Sequence, residues 1–418
     1  MSKMIEILKD YENSNKSLLI EADMLPILFR DEQMDLLQEC GFNGVELNEY
    51  QFGILGENIF EKVIDVLEER NIGIKFLLFK AFRKKYGIIR ALEYDYKKHK
   101  NFISIQSFDE PTVPEIEEVK DIVEQLENVI PEDMYVMTNL YPCYVDKGVL
   151  GCDNYEEYVD KFFKEVIAHQ KGTKVVSCDY YPFMINEFGQ YYMENTWAYN
   201  HMLFAKYAKE YGAKLEWCIQ SCNYNAHRIV DAQDIKMQLY MCMAFGITYG
   251  VCFFTYATPM LNPDFTNGGG GMIGANFVPS TMYYAGKEGI EEIRKIEKYY
   301  LDFEWQGTKS FNGSNNGNEK CEAFKYLTGE MQSFSKIDNV ECTENTIISE
   351  LYDKMNDRVG YVMVNYNDPI DGKKDKIKFN IKDGKSCVAF IKGEPIEYSN
   401  SVEFTLERGG GALIIIEK

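Results

Sequence analysis

The chain has 418 residues, room for two domains at roughly 100 to 200 residues each. Its 45% hydrophobic and 27% charged residues exclude collagen-like, coiled-coil and wholly disordered architectures. Lys and Arg number 45 against 66 Asp and Glu, a formal net charge of −21, which argues against nucleic acid or an anionic membrane as partner and favours a neutral or cationic small molecule.

Aromatic residues make up 14% of the chain, suited either to stacking on a flat, apolar-faced ligand or to a large aromatic core. Residues 1–16 mix charges into every apolar run, so a cytoplasmic location is expected. The longest apolar stretch, 241–257, contains glycines and falls short of the roughly 20 residues of a membrane span. The 11 cysteines lack the spacing of a zinc knuckle, a redox dithiol or a disulfide framework, so reduced thiols are expected.

In chain order, short apolar runs alternate with longer amphipathic segments, the texture of βα units. Residues 17–23 are the first predicted strand and 31–40 a helix closed by Gly41. The second strand is 44–48, with a helix over 58–70. The third, 72–80, leads into a basic helical stretch over 81–100. The fourth, 102–108, precedes a helix over 112–128 with Pro114 in its first turn. The fifth is 134–140, after which Asn154 caps a helix over 155–169. The sixth, 173–180, is followed by a helix over 195–211, and the seventh, 214–221, by one over 231–245. The eighth is 247–256, with a last helix over 280–303.

Eight strand–helix units in about 300 residues predict an α/β fold, a (β/α)8 TIM barrel over 1–303. No G-x-G-x-x-G follows the first strand, which disfavours a doubly wound open sheet. After Trp305, an Asn/Gly/Ser-rich loop at 312–318 and short strands at 359–365, 376–381, 386–391 and 411–416 predict a small all-β sandwich over 304–418.

A barrel builds its active site at the carboxyl ends of its strands. The fourth ends Asp109-Glu110-Pro111, two adjacent carboxylates where Asp109 or Thr112 could also cap the following helix. Other strand ends carry Glu21 and Asp23, Asn48 and Glu49, Asn139 and Tyr141, Asp179, Tyr180 and Tyr181, Gln220, and Thr255 and Tyr256. Each alone could satisfy a loop backbone. Together they suit a polyhydroxylated ligand, with carboxylates and amides on hydroxyls and rings on pyranose faces. The long 258–279 segment, with its glycine-rich 267–274 run, reads as an active-site wall or as plain filler. The four histidines, His99, His169, His201 and His227, map to helices or their flanks, so neither a metal nor a cofactor is expected.

Asp109-Glu110-Pro111 resembles the Asn-Glu-Pro that ends the fourth strand in a large clan of (β/α)8 glycoside hydrolases with a C-terminal β-sandwich, among them many β-galactosidases and cellulases. Tyr180-Tyr181-Pro182 after Asp179, Trp217 in the seventh strand and Phe253-Phe254-Thr255-Tyr256 in the eighth are similar to such enzymes. The resemblance implies cleavage of a glycosidic bond with Glu110 as acid/base. Asn48, Asn139, Tyr141, Tyr180, Tyr181, Trp217, Gln220 and Tyr256 are the candidate sugar contacts.

The clan's nucleophile is a Glu ending the seventh strand, where this chain has Gln220. Glu216 lies four residues earlier, about 13 Å toward the barrel floor, and reads as a buried structural carboxylate. Asp179 is therefore the candidate second catalytic carboxylate, and Asp109 the charge that raises the pKa of Glu110. The Asp-Glu pair also resembles substrate-assisted N-acetylhexosaminidases, in which Asp orients the acetamido group. A metal-dependent sugar isomerase and a non-catalytic carbohydrate-binding barrel stay open beside these readings, as does self-association into a homo-oligomer.

Overall fold

The computed structural model describes residues 3–23, 31–48, 56–78, 91–258, 270–274, 277–313 and 321–418. Eight parallel strands close a barrel in the order β1-β10-β9-β6-β5-β4-β3-β2. They are β1 (Leu19–Ala22), β2 (Gly44–Asn48), β3 (Gly73–Leu77), β4 (Phe102–Asp109), β5 (Tyr135–Leu140), β6 (Val175–Asp179), β9 (Lys214–Gln220) and β10 (Gly250–Phe254). Between β6 and its helix, the hairpin β7 (Phe183–Ile185) and β8 (Tyr191–Met193) is inserted, an element absent from the sequence reading. The first half of the expected basic helix over 81–100 and part of the glycine-rich run lie outside the described residues.

The helices form where apolar side chains recur at helical spacing. Ile116–Glu127 buries Ile116, Val119, Ile122, Val123 and Leu126 on one stripe. Its start is fixed by Thr112, whose N–H and hydroxyl donate to Glu115 at 2.9 and 2.8 Å, so Asp109 is not needed as a cap. Asn154 caps Tyr155–Glu165 by accepting from the Glu157 N–H at 2.9 Å. Asp31–Cys40 ends at Gly41, whose φ is +98° and where a Cβ would sit 2.6 Å from the Ile290 side chain.

The remaining strands form a sandwich, with β11 (Glu304–Asn312), β13 (Asn345–Asp353), β14 (Arg358–Asn365), β19 (Gly411–Ile416), β16 (Ser386–Ile391) and β17 (Glu394–Ser399) in one sheet and β12 (Ile337–Cys342), β15 (Asp375–Ile381) and β18 (Ser401–Leu406) in the other. Alternation along β14 sends Tyr361 and Met363 between the sheets, while Val362 and Val364 join the barrel-side core. The large sheet therefore has two buried faces. One packs on Ala232–Ala244, where Gly411 lies so close to the Tyr240 ring that a Cβ would sit 2.2 Å from it. The N-terminal helix Lys3–Lys9 also docks on this sandwich. Met4 N–H donates to Glu397 at 3.0 Å, Tyr11 to Asp353 at 2.9 Å, and Arg358 pairs with Asp10 at 2.7 Å. Among the described residues no helix is long and apolar enough to cross a membrane.

Inside the barrel, Lys75 of β3 is fully buried and meets three carboxylates at once, Glu216 at 2.8 Å, Glu21 at 3.2 Å and Glu46 at 3.4 Å. Burial opposes its charge, but Cys252 and the three acids outweigh burial and raise its pKa well above the ordinary lysine value. Glu216 also accepts from Ser177 Oγ at 3.1 Å. Lys75→Met should cost about 3–5 kcal/mol in urea unfolding, because it leaves a buried acid cluster without its cation. The loss should be smaller at pH 5 than at pH 8, since Glu21, whose pKa burial raises, can then hold a proton instead.

Candidate active site

One layer above Lys75, the carboxyl ends of the strands bring together four further acids. Asp23, just past β1, is hydrogen-bonded to Glu46 of β2. On the other side lie Asp109 and Glu110 of β4 and Asp179 of β6. A register shift between Gln106 and Phe108, where β4 pairs with β5, adds a residue to β4. This bulge turns Asp109 to the same side as Gln106, which donates to it at 3.2 Å.

Asn139 of β5 holds the acids in place. Its Nδ2 donates to Asp109 at 3.0 Å and to Asp179 at 3.3 Å, while its buried Oδ1 has no hydrogen-bond partner among the described residues. Its carbonyl accepts the Glu110 N–H at 2.9 Å. That bond helps fix Glu110 at φ +49°, a left-handed conformation that non-glycine residues avoid and that recurs where function demands a particular direction. The Glu110 carboxyl so directed is hydrogen-bonded to that of Asp179.

Burial, followed by the charges of Asp179 and Asp109, pushes Glu110 up to about 10. Burial and the Asp109 charge raise Asp179 as well, to about 7, although hydrogen bonds from Asn139 and Glu110 oppose the rise. Between about pH 7 and pH 10 the pair therefore holds one proton, on Glu110, facing a carboxylate on Asp179.

Aromatic residues line this acid pair. Burial and the neighbouring Glu110 and Asp109 charges push the Tyr141 hydroxyl up to about 12. Tyr144, on the same loop, is raised by burial and then by Asp179. Tyr181 stacks on Phe254 at 5.2 Å, and Tyr224 lies edge-on to Tyr181 at 6.2 Å while stacking on His227 at 4.4 Å.

Of the expected sugar contacts, Asn139, Tyr141 and Tyr181 are near the pair, and Asn48 ends β2 on the face that carries Glu46. Four others are turned away. Trp217 points out of the barrel, with its indole flat on His201 at 3.7 Å, because alternation along β9 puts Glu216 and Cys218 inward instead. Tyr180 packs between Tyr144 and Trp197 and bonds Thr196 through its hydroxyl at 2.6 Å. Tyr256 lies edge-on to Phe42 behind the strands. Gln220 is fully buried, with both amide hydrogens on the Phe183 and Arg228 carbonyls and its Oε1 on the Phe183 N–H. Sequence reasoning did not assign Glu46, Tyr144, Tyr224 or Phe254 to the site. The signal for Glu46 was present, since it shares a strand face with Asn48. The loop tyrosines carried no periodic pattern.

Among the described residues no group of three or more His, Cys, Asp or Glu side chains is arranged to hold a metal ion. All 11 cysteines are free.

A closed eight-stranded parallel barrel followed by a β-sandwich is an architecture found among glycoside hydrolases, and solved structures of that class match this chain. A family 39 glycoside hydrolase from the gut symbiont Bacteroides cellulosilyticus WH2 superposes with a TM-score of 0.52 at 10% identity, covering 96% of this chain and 81% of that one. A GH27 β-L-arabinopyranosidase from Geobacillus stearothermophilus gives 0.51 at 6% identity, covering 98% of both chains. Likeness at these identities is likeness of fold. No protein-family model and no curated protein sequence matches the chain.

Three expectations follow. Gln220→Glu should destabilise the fold by about 1–3 kcal/mol, because a carboxylate cannot donate to the two carbonyls that the amide serves; a melting temperature at or above wild type would refute this. Asp179→Asn should lower the Glu110 pKa more than Asp109→Asn does, following the order of their effects on it, as read by carboxyl carbon NMR. Because both acids titrate higher when folded, the stability they contribute is complete below their unfolded values, 4.5 for Glu110 and 3.8 for Asp179, and is lost as pH rises through about 7 and then about 10. The wild-type melting temperature should fall across that window, and less steeply in Glu110→Gln.

Proposed function

We propose that the protein is a glycoside hydrolase that cleaves a glycoside or oligosaccharide by carboxylate acid/base catalysis, with Glu110 as the acid and Asp179 as the second functional carboxylate. The hydrogen-bonded Glu110–Asp179 pair, a protonated carboxyl directed at an ionised one between aromatic rings, is the observation that carries this reading. Glu110 gives its proton to the glycosidic oxygen, the C1–O pair leaves with that oxygen, and Asp179 faces the positive charge developing at C1. Water then supplies the hydroxyl, and its proton returns to Glu110.

NMR of the first-formed anomer distinguishes retention from inversion. Glu110 pairs with Asp179 while the Asp109 carboxylate accepts from two amides, an arrangement that supports an ordinary glycoside over substrate assistance.

Glu110→Gln should lower turnover at least 100-fold on poor leaving groups and much less on an activated aryl glycoside, which needs little protonation. A panel of aryl glycosides, plain and 2-acetamido, checks it. Equal activity of the variant across leaving groups would remove Glu110 as the acid, and selective use of 2-acetamido sugars would install the substrate-assisted route. The kcat/KM profile should be bell-shaped, with the acid limb set by loss of the Asp179 carboxylate and the basic limb by loss of the Glu110 proton.

A further inference from the structure

The hairpin β7–β8 leaves the carboxyl end of β6 four residues after Asp179, so it rises from the rim that carries the acid pair. Phe183 at its base is buried, but its other aromatic side chains are not packed away. Phe188 at the tip is 80% exposed, Tyr191 51% and Tyr192 39%. Surface exposure of three rings on one short element is costly unless something covers them.

The turn that presents Phe188 is tightly specified. Asn186 Oδ1 accepts from the Phe188 and Gln190 N–H groups at 3.0 and 2.9 Å, the Asn186 N–H donates to the Gln190 carbonyl at 2.9 Å, and Gly189 supplies the left-handed residue at φ +75°. The outer strand is equally constrained, since the Arg228 guanidinium lies 5.8 Å from the Tyr191 ring centre and is itself held by Asp234 and Asp368 at 2.6 and 2.8 Å. Rigid display of a ring lowers the entropy lost when a ligand stacks on it.

The hairpin also continues the aromatic lining of the site. The Ile185 N–H donates to the Ala226 carbonyl at 2.6 Å and Met184 bridges to His227, so the strand is bonded to the loop that bears the Tyr224–His227 stack. That stack reaches Tyr181 and Phe254 beside the acids.

Resting on the glycosidase reading above, we propose that this hairpin is a sugar-stacking platform for the leaving-group side of an oligosaccharide, with Phe188 and Tyr191 as its principal contacts. Pyranose faces stack on exposed rings without needing charge, which suits a carrier as acidic as this chain. The substrate class it selects is an oligosaccharide that extends from the acid pair onto the hairpin.

The double variant Phe188→Ala/Tyr191→Ala removes two surface rings and leaves the core intact. With an aryl monoglycoside its kcat/KM should stay within twofold of wild type. With an oligosaccharide of the same glycone, KM should rise about tenfold at unchanged kcat, the size expected for losing such ring contacts. Equal values for both substrates in variant and wild type, or equal losses on both, would overturn the platform. Affinity electrophoresis of wild type and variant in gels containing a xylan, an arabinan, a galactan or a β-glucan reads binding without turnover. Retardation of wild type alone supports the platform even if no glycoside is cleaved, and identical mobility in all four gels refutes it. A change of oligomeric state in the variant, seen by light scattering, with unaltered sugar binding would reassign the rings to a contact between copies of this chain.

Discussion

The structure depends on one electrostatic constraint, the gathering of seven carboxyl groups inside a single barrel, five of them buried and Asp109 and Glu110 half-buried. Glu21, Asp23, Glu46, Asp109, Glu110, Asp179 and Glu216 cannot all ionise away from water, since each isolated buried charge carries a large desolvation cost. Among the described residues Lys75 alone forms salt bridges within this group, and it does so with three of them. Elsewhere protons are held between carboxyl oxygens, while Asp109 accepts from the Gln106 and Asn139 amides. Glu21 bonds Glu216, Asp23 bonds Glu46, and Glu110 bonds Asp179. A carboxyl that stays protonated at neutral pH, the requirement for an acid catalyst, is thus a consequence of how the interior is built.

The layers divide the work. The lower one, around Lys75, is closed and fixes the strands against each other, which is why Glu216 on the seventh barrel strand belongs to structure. The upper one opens where the strands end, and there the β4 bulge, the left-handed Glu110 and the Asn139 amide direct the acids. Small backbone irregularities at a rim can redirect side chains that strict alternation would bury.

The sandwich contributes from outside. Its large sheet presses on the helices behind the sixth and seventh barrel strands, with the Ala198 N–H of Trp197–Tyr211 donating to the Tyr366 hydroxyl at 3.1 Å and Asp368 pairing with Arg228 at 2.8 Å. These contacts brace the loops that bear Asp179 and Tyr224. The N-terminal helix docks on the same sandwich, so the chain's first residues and its last strands form one body against the barrel.

The fold was legible in the sequence because its signals are local. Apolar runs of strand length, separated by helical stripes with Asn154 and Gly41 at their ends, define eight βα units whatever surrounds them, and the acidic end of the fourth strand stood out for the same reason. In the tail, the strands of exposed, mixed texture such as β12, β17 and β18 were not recognised, since one face of each meets solvent and the apolar signal is thin. The direction of individual side chains was decided only by tertiary structure. Trp217, Tyr180 and Tyr256 look like sugar contacts in sequence, yet pleating and helix packing turn them outward, while Gln220 is engaged by backbone from two loops. Glu46, Tyr144 and Tyr224 enter the site from elements distant in the chain. Closure of the barrel brings Glu110 to Asp179, which no spacing along the sequence encodes, because a hydrogen bond between strands four and six depends on register and bulge geometry that composition and periodicity leave undetermined.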